Sequence, residues 1–154
     1  MAVLGSGMEV RAGAGVGWFQ FRVAIAYSPG WVMVGLVPEG ASVADGQYPG
    51  KADVAGGVGW NGRGRVCWTL PGPAPTTDTV KFGCGDRVTL VLDCRARPLV
   101  RLLVNNQLRM VHDLATDPPA ILCPAVGLLG CSDGVACMEL EHMALPPGWD
   151  LSPA

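Results

Sequence analysis

The sequence predicts an all-β fold, a two-layer antiparallel β-sandwich with long connecting loops, on three observations. Apolar residues alternate with period two in several short runs, as they do along a strand that buries one face. The 22 glycines and 13 prolines are spread over the whole 154 residues, so turns separate these runs throughout. No stretch keeps an amphipathic helical period for more than two turns. Many short strands between turn signals are the pattern of a sandwich or barrel, here jelly-roll-like.

The first run is residues 18–25, where Phe19, Phe21, Val23 and Ile25 share one face and Gln20 and Arg22 the other. This reads as a half-buried strand. Tyr27-Ser28-Pro29-Gly30 supplies a turn, and residues 31–37 follow, apolar on both parities and so expected to be central and covered on both sides. The two runs read as an antiparallel hairpin. Residues 38–57 are polar, Gly-rich and without period, the mark of a long functional or disordered loop.

Val58-Gly59-Trp60 resumes a strand and Asn61-Gly62 is a hairpin-type turn. Residues 65–70 place Val66, Trp68 and Leu70 together, before the proline-rich loop Pro71-Gly72-Pro73-Ala74-Pro75. Residues 87–93 turn Val88, Leu90 and Leu92 inward, and residues 99–104 run back to the tight turn Asn105-Asn106. Asp117-Pro118-Pro119 is a loop, residues 121–129 a proline-interrupted apolar strand, and residues 136–141 close the pattern with acidic residues facing out. The expected organisation is one domain, residues 1–143, with residues 144–154 as a C-terminal tail.

Composition narrows the function. A formal net charge of −2 offers little to a phosphate backbone, so nucleic acid is not an expected partner. The opening Met1-Ala2-Val3-Leu4 reaches Gly5 at once, too short for a signal-peptide core, and no run approaches a membrane span. A soluble, intracellular, cytoplasmic protein with no membrane partner is the expectation. The six cysteines (67, 84, 94, 123, 131 and 137) then read as small buried hydrophobes, and no pair has the C-x-x-C spacing of a zinc or redox site. With His112 and His142 also away from ligand spacing, no metal or cofactor is expected.

No catalytic constellation stands out. Asp86 and Asp93 read as a turn residue bonding backbone N–H groups and a strand-end residue rather than as paired carboxylates. No Gly-x-Ser-x-Gly elbow occurs, and Gly13-Ala14-Gly15-Val16-Gly17 precedes a strand, not the helix a phosphate cradle needs.

The stretch 82–93, with Gly85-Asp86 leading an apolar strand that ends in Asp93 and returns to Val104-Asn105-Asn106, resembles a SPRY domain. Four further marks fall in the family's order. Residues 18–23 are similar to its aromatic early strand, and residues 33–37 to its small-apolar-Gly-Leu strand. Residues 58–62 are similar to its Ser-aromatic-Gly-aromatic segment, and residues 123–128 to its Tyr-Pro-Ala-Val strand. The similarity spans about residues 15–143. The chain departs from the family with Asn105-Asn106 in place of Asn-Gly, with Leu102-Leu103-Val104 where an aromatic is common, and with Gly57-Val58 before Trp60.

The resemblance implies a SPRY-type sandwich and a non-catalytic protein-interaction module. Such a module holds a short peptide or a folded partner on loops at one edge, and in related architectures it recruits substrates for ubiquitin ligases or scaffolds assemblies. A rigid sheet carrying irregular loops with aromatics and arginines fits that role. Tyr48, Trp60, Arg63 and Arg65 form the candidate contact set together with Leu129, which the resemblance places beside the same platform. Tyr48 stands first, lying in a Gly/Pro loop with no apolar neighbours at strand spacing. Trp60 reads equally as a core or rim packing residue, and Arg63 and Arg65 as solvated turn charges. A carbohydrate-binding, lectin-like sandwich is the alternative, since Trp60, Asn61, Arg63 and Arg65 supply part of a sugar site.

Overall fold

The computed structural model describes residues 2–3, 6–23, 32–42, 46–75, 80–83, 85–114, 117–128 and 138–141. Among these, eleven strands and no helix form two antiparallel sheets. The first sheet runs β1-β10-β4-β5-β6, with β2 also beside β10. It comprises β1 (Ala2–Val3), β2 (Met8–Glu9), β4 (Val32–Pro38), β5 (Val58–Asn61), β6 (Val66–Trp68) and β10 (Ile121–Leu128). The second runs β11-β3-β7-β8-β9, from β3 (Gly15–Val23), β7 (Arg87–Cys94), β8 (Leu99–Val104), β9 (Gln107–Asp113) and β11 (Met138–Glu141). The fold is thus the all-β sandwich that the alternating runs predict.

Period two decides what lies between the sheets. Phe19 and Phe21 of β3, Val88, Leu90 and Leu92 of β7, and Val100 and Leu102 of β8 meet Val34 and Leu36 of β4, Val58 and Trp60 of β5, and Leu122 and Val126 of β10 in one core. Leu70, Val80, Phe82 and Leu114 plug into it from the loops. The structure corrects the hairpin expected of the first two long runs. β3 pairs with β7 and β11, whereas β4 lies in the opposite sheet between β10 and β5. Eight residues separate Val23 from Val32, well beyond a two-residue hairpin turn, and the apolar faces of both strands need each other across the core rather than side by side.

The outer faces are also covered, which explains two departures from a half-buried pattern. On the second sheet Trp18, Val91 and Leu103 form a separate buried cluster, and Gln20, read as a solvent-side residue, is buried with its carboxamide 3.2 Å from Thr89 Oγ1. On the first sheet Val37, Cys123 and Ala125 are buried against Val54 of the long loop, so β4 is covered on both sides as its composition requires. Ile25, the turn at residues 27–30 and the expected tail lie outside the described residues.

Two details follow from backbone chemistry. Pro124 lies within β10, a strand with neighbours on both sides, and lacks the N–H a ladder needs. Among the described residues its outer neighbours pair on either side of it, β1 at Ala125 and Val126 and β2 at Ile121 and Leu122. Asn105 and Asn106 have φ of 51° and 65°, the left-handed pair of a two-residue hairpin turn joining β8 to β9. β9 itself escapes the apolar pattern because it is an edge strand with Gln107, Leu108 and Arg109 exposed and a bulge opposite Leu102 and Leu103.

Candidate partner-binding site

Of the residues that link β4 to β5, 46–57 fold over the outer face of the same sheet. The sequence permits this because that face carries glycine in neighbouring strands: Gly35 of β4 pairs with Gly59 of β5, and Gly127 lies on β10. A Cβ on Gly35 would meet Pro49 Cβ at 2.6 Å, and one on Gly127 would meet Tyr48 Cβ at 2.5 Å. A Cβ on Gly59 would run into the Pro49 carbonyl. Backbone and ring therefore lie directly on bare peptide, a close approach that only glycine allows.

Further along, Gly50, at φ 76°, passes against the Cys67 carbonyl of β6. Thr69 secures the far end of the loop: its Oγ1 donates to the Val54 carbonyl at 2.6 Å and accepts the Gly57 N–H at 2.9 Å.

Tyr48 is thereby half-buried and held at the start of a turn, with the Lys51 N–H bonded to its carbonyl at 3.1 Å and Lys51 Nζ 5.9 Å from its ring centroid. Lys51 Nζ also donates to the Gly46 carbonyl at 3.0 Å and lies 3.6 Å from Asp53 Oδ2. The Gln47 carboxamide, donating to Asp53 Oδ2 at 2.9 Å, holds the Asp53 carboxyl below its ordinary value.

The β5–β6 hairpin is built around Asn61. Its Oδ1 accepts the backbone N–H groups of Arg63 at 3.0 Å and Arg65 at 2.9 Å, while its own N–H donates to the Arg65 carbonyl at 3.0 Å. Gly64, at φ 94°, closes the turn. The result is a rigid loop whose two arginine side chains are exposed. Replacing Asn61 by alanine removes an acceptor from two backbone donors. An Asn61→Ala variant is expected to lose about 1–2 kcal/mol, read as a lower urea midpoint at unchanged m value. An unchanged midpoint would show that the hairpin holds itself without the carboxamide.

Of the five residues singled out from the sequence, the structure brings three together. Gly127, Met33 and Asn61 lie in one row across β10, β4 and β5, so the Tyr48 anchor and the arginine hairpin are about two strand spacings, roughly 10 Å, apart. Trp60 is corrected: it is 1 % exposed in the core, because the position beside Asn61 faces inward by strand parity. Leu129 follows Gly127 by two residues and lies outside the described residues.

Two features were missed. Lys81 is exposed beside the hairpin, and the glycine cradle under Tyr48 and Pro49 had a signal in glycines interrupting apolar strands. Asp86 is a turn residue as expected, its Oδ2 accepting the Gly83 N–H at 2.7 Å.

Other polar side chains serve the scaffold. His112 packs edge-on to Trp68 with ring centroids 4.7 Å apart, and its Nε2 donates to the Pro73 carbonyl at 2.8 Å, joining the edge strands of the two sheets. Cys67, Cys94 and Cys123 are free thiols whose pKa burial raises, away from the reactive thiolate. Among the described residues no group of three or more His, Cys, Asp or Glu is arranged to hold a metal ion. Among the same residues no helix is long and apolar enough to cross a membrane.

No protein-family model matches the sequence, and no curated protein matches it. Solved structures do match the fold. The chain is similar to a human SPRY domain, at a TM-score of 0.60 and 17 % identity over 82 % of this chain and 76 % of that one. It is also similar to the SPRY domain of human HERC1, at a TM-score of 0.63 and 15 % identity over 94 % of this chain and 82 % of that one. At these identities the likeness establishes a SPRY-type β-sandwich.

Proposed function

We propose that this chain is a non-catalytic protein-interaction module that takes a short peptide or a folded partner on the platform formed by Tyr48, Arg63, Arg65 and Leu129. A module of this kind works as the substrate-recruiting or scaffolding part of a larger chain or assembly. The observation that carries the reading is the anchoring of Tyr48 on Gly127, which holds an aromatic at the end of β10 and beside a pre-formed arginine hairpin. Ordering these groups before binding lowers the entropic cost of association. The carbohydrate alternative loses the stacking aromatic it was built on, since Trp60 is enclosed in the core.

The test is affinity purification with mass spectrometry from the native cell, comparing wild type with Tyr48→Ala/Arg63→Glu after showing that both melt alike. A partner set retained by wild type and lost by the variant is the expected result. Partners that survive unchanged would move the site elsewhere, and no protein partner at all would overturn the module reading. Glycan-array binding by wild type would favour the lectin reading.

A further inference from the structure

The hairpin has a third cation beside it. Val80 and Phe82 are buried in the core, so strand-like alternation turns Lys81 outward between them. The Phe82 N–H donates to the Gly62 carbonyl at 3.2 Å, which fixes Lys81 next to Arg63. Arg65 lies by the Cys67 thiol on the same hairpin.

Among the described residues no carboxylate pairs with Arg63, Arg65 or Lys81: the ion pairs there all involve Arg11, Lys51, Arg95, Arg97 and Arg101. Asp86, five residues beyond Lys81, spends its two oxygens on the Gly83 N–H at 2.7 Å and Asn105 Nδ2 at 2.8 Å, while Asp78 lies outside the described residues. Three positive charges with no carboxylate partner among the described residues thus stand on backbone held by at least five hydrogen bonds, in a chain whose formal net charge is −2.

From this charge complementarity we infer that the partner segment is an acidic peptide, its Asp or Glu carboxylates meeting Arg63, Arg65 and Lys81 while Tyr48 supplies the apolar contact. The inference rests on the module reading and gives it a ligand chemistry. Guanidinium groups bind carboxylates through two parallel hydrogen bonds, which suits a peptide acid. The patch is local on an otherwise acidic chain, so a short anionic segment fits it better than a long polyanion or an anionic membrane, either of which would also face the net negative remainder.

The probe is a fluorescein-labelled hexaglutamate peptide titrated against the full chain by anisotropy, at low and at physiological salt. Binding should weaken as salt rises and fall about tenfold or more in Arg63→Glu/Lys81→Glu. It should be unchanged in Arg11→Glu, which alters an exposed cation next to Val10, whose N–H bonds Ala120 at the start of β10, the end away from the Gly127–Met33–Asn61 row. If the double reversal melts below wild type, Arg63→Gln/Lys81→Gln replaces it.

Hexaglutamate that fails to bind, or binds all forms equally, overturns the inference. Stronger, equally charge-dependent binding of poly-uridine RNA or phosphatidylserine vesicles overturns it in favour of that polyanion. A cellular partner lost with Tyr48→Ala alone but kept by the charge-reversed protein would overturn the acidic ligand and leave the module reading standing.

Discussion

A Gly35→Val variant is expected to lose about 3 kcal/mol of stability, a fall in melting temperature of roughly 10 °C for a domain of this size. The first atom of the new side chain would enter the Val58 carbonyl, and would lie 2.6 Å from Pro49 Cβ and 2.8 Å from Gly59 Cα. Two of those three neighbours are backbone of a paired strand, so rotamer changes give no relief. The remaining escape is to lift Pro49 off the sheet, which exposes the apolar face beneath and releases Tyr48 from the platform.

Calorimetry should therefore show the lower melting temperature, and limited proteolysis should show faster cleavage within residues 46–57. Binding of any partner that needs Tyr48 should weaken in parallel. Gly40→Ala is the matched control: at φ 79° with nothing within 4 Å, the new methyl group meets only backbone strain, at a cost of about 1 kcal/mol. Equal melting of wild type and Gly35→Val would mean that the loop does not rest on the glycine pair.

The second large effect is expected at Asp93. Its side chain is 6 % exposed on the outer face of the second sheet, with Arg95 Nη2 at 2.8 Å and Arg101 Nη2, on a side chain only 2 % exposed, at 3.3 Å. Burying a guanidinium is costly unless a carboxylate meets it, and removing one partner of such a pair costs about 3–5 kcal/mol. Asp93→Asn, nearly isosteric, should lose about 3 kcal/mol of unfolding free energy in urea. Arg95 contributes less than Arg101 because half of it faces water.

The pair also sets a pH dependence. The hydrogen bonds from the Arg95 side chain hold the Asp93 carboxyl below its ordinary value against the opposing effect of burial, with further help from the Arg95 and Arg101 charges. A carboxyl whose pKa is lowered in the fold gives stability that is fully present above its unfolded value, about 3.9, and is lost as pH falls through the folded value. Wild type should therefore lose urea resistance steeply below about pH 4, and Asp93→Asn should show a shallower acid limb from a lower plateau. An identical acid limb in both proteins would assign the loss to other carboxylates.

How far the sequence anticipates this molecule varies with the signal. Strands β3 and β7 were legible because their alternation is carried by large apolar side chains that have one place to go, and β5, β8 and β10 as short apolar runs bounded by turn signals. The turn at Asn105-Asn106 was legible because it needs positive φ at both positions. β9 was not, since an exposed edge strand with a bulge has neither alternation nor hydrophobicity to announce it. Tyr48, Arg63 and Arg65 were legible as chemistry in loops. Trp60 carried the same chemistry, and only its parity in β5, set by pairing with Val34 and Val66, sent it into the core.

The sequence by itself determined the class of fold and the residue types available for binding, because period, turn chemistry and composition act over neighbouring residues. Only the tertiary structure decided which sheet each strand joined, and that residues 46–57 lie on a glycine-lined face. It alone put Lys81 beside Arg63 across 18 residues of chain. These are contacts between segments remote in sequence. They are selected by which apolar faces can close on one another, and no local pattern records that choice.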